Sequence, residues 1–324
     1  MPIEHIIYVG VTGQSVWRSK DGGETFKRSS NGMFMEAEIR ALAVHPTCPE
    51  TLFAGTACGL HKTVDGGDSW ELLPSDLDQR QIWSLRIHPS NPDVMFAGTC
   101  PADVFRSEDA GRTWQLLDTG IPRNCTIDVP LVPRLTTLKI DPGNEARIYA
   151  GVEIAGMYRS DDGGDTWACR IEGLTNHDIH DLICLDGDTI YASTNAEAFI
   201  SQDGGDEWRA LNIREKLPFS YMRGCALTLS DSPKLFAGIG NGPPGDIGAL
   251  ARSTDHGETW EVCELPGNIN STIWNFAVNS ADANLIYATS ISGQLFRSED
   301  GGNTWTKPRH EFGEVRALVW VPSD

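Results

Sequence analysis

No two cysteines of this chain are spaced for shared chemistry. Eight are scattered through 324 residues without a CxxC pair, which argues against zinc-ribbon and dithiol redox sites and favours free thiols in a reducing compartment. Basic residues are also scarce: 26 Lys and Arg stand against 45 Asp and Glu, for a formal charge of −19. With no basic stretch to neutralise phosphates, nucleic acid is not expected as a partner. Attraction to an anionic membrane is equally disfavoured. No apolar run approaches the length of a membrane span. The opening Met1-Pro2-Ile3-Glu4-His5-Ile6-Ile7 has neither a basic segment nor a long apolar core, so no signal peptide is expected and the expected location is the cytoplasm. No cofactor motif is present, and none is expected to be needed.

What the chain does contain is a repeat. Ser160-Asp161-Asp162-Gly163-Gly164-Asp165-Thr166-Trp167 returns in close copies at Ser19–Phe26, Thr63–Trp70, Ser107–Trp114, Ser201–Trp208, Ser253–Trp260 and Ser298–Trp305. Successive copies of its Asp (Asp21, Asp65, Asp109, Asp162, Asp203, Asp255, Asp300) are 41 to 53 residues apart. A period of this size, filled with short β-branched and aromatic runs between Gly, Pro, Asn and Asp turns, marks one four-stranded sheet per repeat. The expected fold is all-β: a single seven-bladed β-propeller of antiparallel blades occupying residues 1–324. The chain opens on a second-strand sequence, Ile6-Ile7-Tyr8-Val9-Gly10, and ends on a first-strand sequence, Glu314 to Val321. The C-terminal strand is therefore expected to complete the N-terminal blade and close the ring.

Within the repeated turn, the Asp carboxylate can staple nearby backbone N–H groups, and the glycines supply angles that a side chain would hinder. A calcium reading of Asp161, Asp162 and Asp165 lacks the fuller ligand set of a calcium loop. These turns resemble the Asp-box, or BNR, repeats, with small departures such as Phe26 for Trp, Thr63 for Ser, Ala110 for Gly and Glu207 for Thr. The resemblance covers essentially the whole chain. It is to the propellers of sialidases, xyloglucan-type hydrolases, sortilin-like receptors and photosystem II assembly-factor-like proteins. It implies a ligand site on the face away from the boxes and is nearly silent on function, since enzymes and binding proteins share the motif. A sialidase proper is disfavoured: the Phe/Tyr-Arg-Ile-Pro motif is missing, Val132-Pro133-Arg134-Leu135 being no match. Sialidase rings also have six blades.

Equal spacing allows the first strands to be aligned, and the start of each gives two rings of residues. The outer is Glu38, Gln81, Arg134, Asp178, Tyr221, Thr272 and Glu314; the inner is Arg40, Trp83, Thr136, His180, Arg223, Trp274 and Arg316. Below them simple alternation predicts an apolar layer of Leu42, Leu85, Leu138, Leu182, Cys225, Phe276 and Leu318.

Arg40, Arg223 and Arg316 are candidates for a carboxylate or phosphate clamp, with Arg134 beside them, because guanidinium forks match such oxygens. Trp83 and Trp274 are candidate walls for a ring, and Tyr221 and Glu153 candidate polar groups. The competing reading has the arginines paired with Glu38, Glu314 or Glu153, sealing the channel. His180 with Asp181 or Asp178, and Tyr221, are the candidate catalytic set, with the imidazole as acid and base. A metal shared by His180 with His310 or Glu153 is the less favoured alternative. Loops at Asp118–Arg134 and Ile239–Leu250 are long enough to border a site.

The leading expectation is a protein that binds a small anionic, ring-containing molecule at the channel mouth, with hydrolase or lyase chemistry as its enzymatic form. The alternatives are a non-catalytic scaffold for a protein partner and a sialidase-like glycosidase.

Overall fold

The computed structural model describes residues 3–123, 131–230 and 232–323. Seven antiparallel sheets follow one another along the chain. The first blade joins Val315–Pro322 to His5–Val11, Ser15–Ser19 and Lys27–Ser29, so the last strand of the chain pairs with the first, Val9 opposite Leu318. The others begin with Ile39–Val44, Gln81–Ile87, Leu135–Ile140, Ile179–Cys184, Tyr221–Leu227 and Ile273–Asn279. Six sheets have four strands; the seventh has three, with the bridge between Arg297 and Thr306 in the fourth-strand place. First strands touch their neighbours all the way round, and Ile273–Asn279 meets Val315–Pro322 to complete the circle. The expected seven-bladed all-β propeller and its closure are what the chain forms.

The core lies between blades, because no single four-stranded sheet covers its own faces. Phe53 and Leu60 of the second blade, for example, pack with Ile82, Leu85 and Met95 of the third. Close approach depends on a glycine in most of the second strands. A Cβ at Gly55 would press on Ile82, and one at Gly98 on Leu135 of the following blade. That is why four of the seven blades keep Ala-Gly there among β-branched residues.

The boxes are staples. Asp162 Oδ1 accepts from the Ser160 hydroxyl (2.8 Å) and the Thr166 amide (2.8 Å), while Oδ2 accepts from the Thr166 hydroxyl (2.6 Å). Ser160 Oγ in turn accepts from Gly164 N–H, and Trp167 Nε1 donates to Gly164 O. Gly163 and Gly164 hold φ of 73° and 96°, the left-handed region a side chain resists. At Asp203 the Thr has become Glu207, so the hydroxyl donor to Oδ2 is lost and the amides of Asp206 and Glu207 both donate to Oδ1. These carboxylate oxygens are spent on hydrogen bonds, which favours the staple over the calcium reading.

Hydroxyl donation from Ser69, Thr113 and Thr166, and then their backbone amides, holds Asp65, Asp109 and Asp162 down to about 2, against an ordinary value of 3.8. A carboxyl that is a stronger acid folded than unfolded contributes stability above its unfolded value. It loses that contribution as pH falls toward the folded one. The melting temperature is therefore expected to hold from pH 7 to about 5 and to fall steeply between about 4 and 2. A melting temperature unchanged at pH 3 would contradict the staple account.

Candidate functional site

Antiparallel order puts the boxes at one end of the ring. The starts of the first strands and the second-to-third loops lie at the other. There, all seven first strands carry a β-bulge. Pairing skips from Ile39 to Ala41, Ile82 to Ser84, Leu135 to Thr137, Ile179 to Asp181, Met222 to Cys225 and Ile273 to Asn275, and between Val315 and Ala317. The residues passed over are Arg40, Trp83, Thr136, His180, Arg223 with Gly224, Trp274 and Arg316. These are the inner ring read from the alignment. A bulge frees a residue from the ladder and re-aims its side chain, and all seven line the central channel.

The bulges also correct the layer expected beneath. Each inserted residue breaks the two-residue alternation, so Leu138 and Leu182 are fully buried in the cores between blades and leave the channel wall. Leu42, Leu85, Cys225, Phe276 and Leu318 still border the lower chamber, a space of about 630 Å³, and Arg86, Lys139, Asp181 and Cys184 join them. Asp181 therefore turns away from His180. Its carboxylate takes Lys139 Nζ at 3.1 Å and the Thr137 hydroxyl at 3.0 Å. Burial works against its charge, yet Lys139 holds it below the ordinary carboxylate range. Burial drives the Cys184 thiol up to about 12, which keeps it protonated and inert.

The upper chamber, about 950 Å³, is lined by Arg134, Glu153, Asp178, His180, Tyr221, Arg223, Trp274, Glu314 and Arg316. It thus gathers nine of the expected residues. Leu131, Asn195, Pro243, Pro244, Ile291 and Ser292 complete the wall. Pro243 and Pro244 come from the expected 239–250 loop. Of the other long loop, residues 124–130 lie outside the described residues. Asn195 and Ser292 carry no signal that alignment of first strands would find, because they sit in second-to-third loops.

Within the two rings, neighbours two residues apart pair up. Arg40 donates to Glu38 at 2.5 Å, Arg316 to Glu314, and the Trp83 indole to Gln81 at 3.2 Å. Arg134 donates to Glu153. To this extent the sealing arrangement forms. The tryptophans are stacked with guanidinium groups: Arg40 and Arg134 lie 4.4 and 4.7 Å from the Trp83 ring centre. Arg223 and Arg316 lie 4.5 and 5.0 Å from that of Trp274. Of the two, Trp274 borders the upper chamber and Trp83 the lower.

Arg223 is different from the others. Its side chain is only 8% exposed, its nearest carboxylate oxygen is Glu153 Oε1 at 3.8 Å, and its hydrogen-bonding neighbour is the Tyr221 hydroxyl rather than a close carboxylate. His180 Nδ1 lies 2.7 Å from Met222 O, and Nε2 lies 3.3 Å from Asp178 Oδ2. Burial, then the charge of Arg223, pushes the imidazole below its ordinary value despite Asp178. Burial opposes the Asp178 charge, but His180 and Arg223 keep that carboxyl below the usual range. Burial pushes the Tyr221 phenol up. His310 is elsewhere, packed on Trp17, Phe26 and Phe312.

Fold and repeat together define an Asp-box β-propeller, and comparison with known proteins agrees. The profile of a family described as "Sortilin, neurotensin receptor 3" matches residues 14–136. A xyloglucanase from a Paenibacillus species is 27% identical over 245 residues, 63% of this chain and 23% of that protein. One from Hypocrea jecorina is 29% identical over 148 residues, 41% of this chain and 18% of the relative. The chain thus spans less than a quarter of the length of these curated relatives. Among solved structures, a GH74 enzyme of Niastella koreensis superposes with a TM-score of 0.66 at 19% identity, covering 83% of this chain and 45% of its own. A structure described as YCF48 bound to D1 peptide gives 0.61 at 18% identity, covering 84% and 81%. At these identities the superpositions speak to fold. The chain is a BNR-type propeller that resembles xyloglucanase, sortilin and YCF48 propellers. No helix among the described residues is long and apolar enough to cross a membrane.

Proposed function

We propose that the upper chamber binds a small anionic, ring-containing molecule, with Arg223 as its main anion contact. One observation carries the reading: an arginine side chain only 8% exposed borders a 950 Å³ cavity with no carboxylate oxygen nearer than 3.8 Å. Buried donors need acceptors, and a ligand carboxylate or phosphate supplies them bidentately. Arg316 adds positive charge, Tyr221 a hydroxyl, and the Trp274 edge an apolar contact for the ring. Arg40 belongs to the layer beneath and supports Trp83.

Binding is favoured over glycoside hydrolysis, although relatives of the chain are named xyloglucanases. A glycosidase needs one carboxyl held protonated at working pH. Asp178 is instead pulled toward its charged form and Glu153 is engaged by Arg134. His180 beside Asp178 is the group best placed for proton transfer if the ligand is also transformed.

A second reading, a platform for a protein partner, has its own support. Phe34, Met35, Leu131, Val132 and Ile247 stand exposed on loops at the same end of the ring as the mouth, where apolar surface marks contact sites. A peptide carboxylate would engage the same Arg223. In either case we place the protein in the cytoplasm, where cysteines such as Cys48 and Cys58 stay free.

A thermal-shift screen separates these readings, because a ligand that binds only the native state raises its melting temperature. Benzoate, phenyl phosphate and glucuronate are expected to raise it, and benzyl alcohol and glucose are not. Equal shifts from glucose and glucuronate would overturn the anion reading and favour a neutral sugar.

A further inference from the structure

We propose that Glu153, Asp178 and His180 form a divalent metal site at the upper end of the channel. Their donor atoms lie within 4.8 Å of one another, the one such grouping of three among the described residues. Convergence alone is weak, but two further observations point to a cation. The first is the state of His180, whose side chain is 2% exposed. Its Nδ1 faces the Met222 carbonyl at 2.7 Å. A carbonyl only accepts, so Nδ1 carries a proton, and in the neutral ring Nε2 then presents a bare lone pair to the Asp178 carboxylate 3.3 Å away. Two acceptors set face to face repel unless something positive joins them. The second is Asp178 Oδ1, cut off from solvent and without a donor at good hydrogen-bond geometry.

This arrangement is the one by which proteins orient a ligating histidine, with one ring nitrogen fixed by a backbone carbonyl and the other turned to the metal. A separation of 3.3 Å suits two adjacent ligands on an ion with bonds of about 2.1 Å. Glu153 completes the set by turning its carboxylate from Arg134, which is 30% exposed and free to rehydrate. One nitrogen and two carboxylates suit Mn²⁺, Co²⁺ or Zn²⁺ better than Ca²⁺, which takes six to eight oxygens. The ion's remaining positions face the upper chamber. Arg223, 3.8 Å from Glu153, opposes the cation and tempers its affinity. The competing occupant is a proton on Nε2, which would join imidazole and carboxylate as an ion pair.

The test uses metal alone, on chelator-treated whole protein in buffer free of carboxylate and phosphate. Mn²⁺ avoids binding to the free thiols, and Co²⁺ adds a visible absorption that reports its ligands. Calorimetry is expected to show one equivalent of Mn²⁺ in the wild type and in His177→Gln, lost in Asp178→Asn and His180→Gln. The Co²⁺ absorption is expected to disappear in the same two variants. If His180→Gln fails to fold, the isosteric Asp178→Asn carries the test. No stoichiometric heat in the wild type, or the same heat in Asp178→Asn, overturns the proposal. So does an imidazolium at His180 by NMR in metal-saturated protein. The anion reading is unaffected by that failure, because it rests on Arg223.

Discussion

A chain ending at Gly313 is expected not to reach the native state. The strand Val315–Pro322 is the inner strand of the first blade, paired along its length with His5–Val11. It also touches the first strands of the second and seventh blades. Removing it uncovers the buried Val315, Leu318, Trp320 and Val321 partners and leaves an open edge on His5–Val11. An unpaired central strand with an apolar face promotes aggregation rather than a local fray. The expected product is insoluble, or soluble without a cooperative thermal transition. A synthetic peptide of residues 313–324 added during refolding is expected to restore that transition. The milder Trp320→Ala keeps the strand but empties a fully packed site, and costs about 3–5 kcal/mol. It should lower the urea midpoint without changing the slope. A truncated chain that melts cooperatively near the wild-type temperature would rule out closure by this strand.

Glu153→Gln is expected to have the second largest effect. Glu153 serves both Arg134 and Arg223. Breaking a buried pair by removing one partner leaves an uncompensated charge, at a cost of about 3–5 kcal/mol. Most of this falls on Arg223, 8% exposed, since Arg134 can turn to water. About 3 kcal/mol is therefore expected, read as a lower melting temperature. The loss should be partly reversible: phosphate in the buffer should raise the variant's melting temperature by more than the wild type's, because the anion replaces the missing carboxylate. A variant as stable as the wild type, with no gain from phosphate, would mean that water already satisfies Arg223.

Much of this was legible in the residues for a specific physical reason. The Asp-box is a local staple whose hydrogen bonds need Ser, Asp, Gly and Thr at fixed offsets, so its spacing marks each blade. The equal lengths of the first-strand segments then place Arg40, Trp83, His180, Arg223, Trp274 and Arg316 at one level. The bulges were not legible. The skipped residues are Arg, Trp, Thr and His, with no shared chemistry, so the kink comes from the ring's geometry rather than from a residue type. Missing the bulges put Asp181 beside His180, when one inserted residue turns it down to Lys139. Pairing was half legible. Glu38–Arg40 and Glu314–Arg316 follow from sequence distance, whereas the Glu153 link to Arg134 and Arg223 joins the end of a second strand to the start of the first strand in its own blade and to the first strand of another.

Anion binding by Arg223 is the claim on which the functional account stands, and calorimetric titration of phenyl phosphate into wild type and Arg223→Ala tests it most directly. The account predicts saturable binding by the wild type, with one site, weakened by added salt and lost in the variant while its fold persists by circular dichroism. Equal binding by both proteins, or none by the wild type, would contradict it.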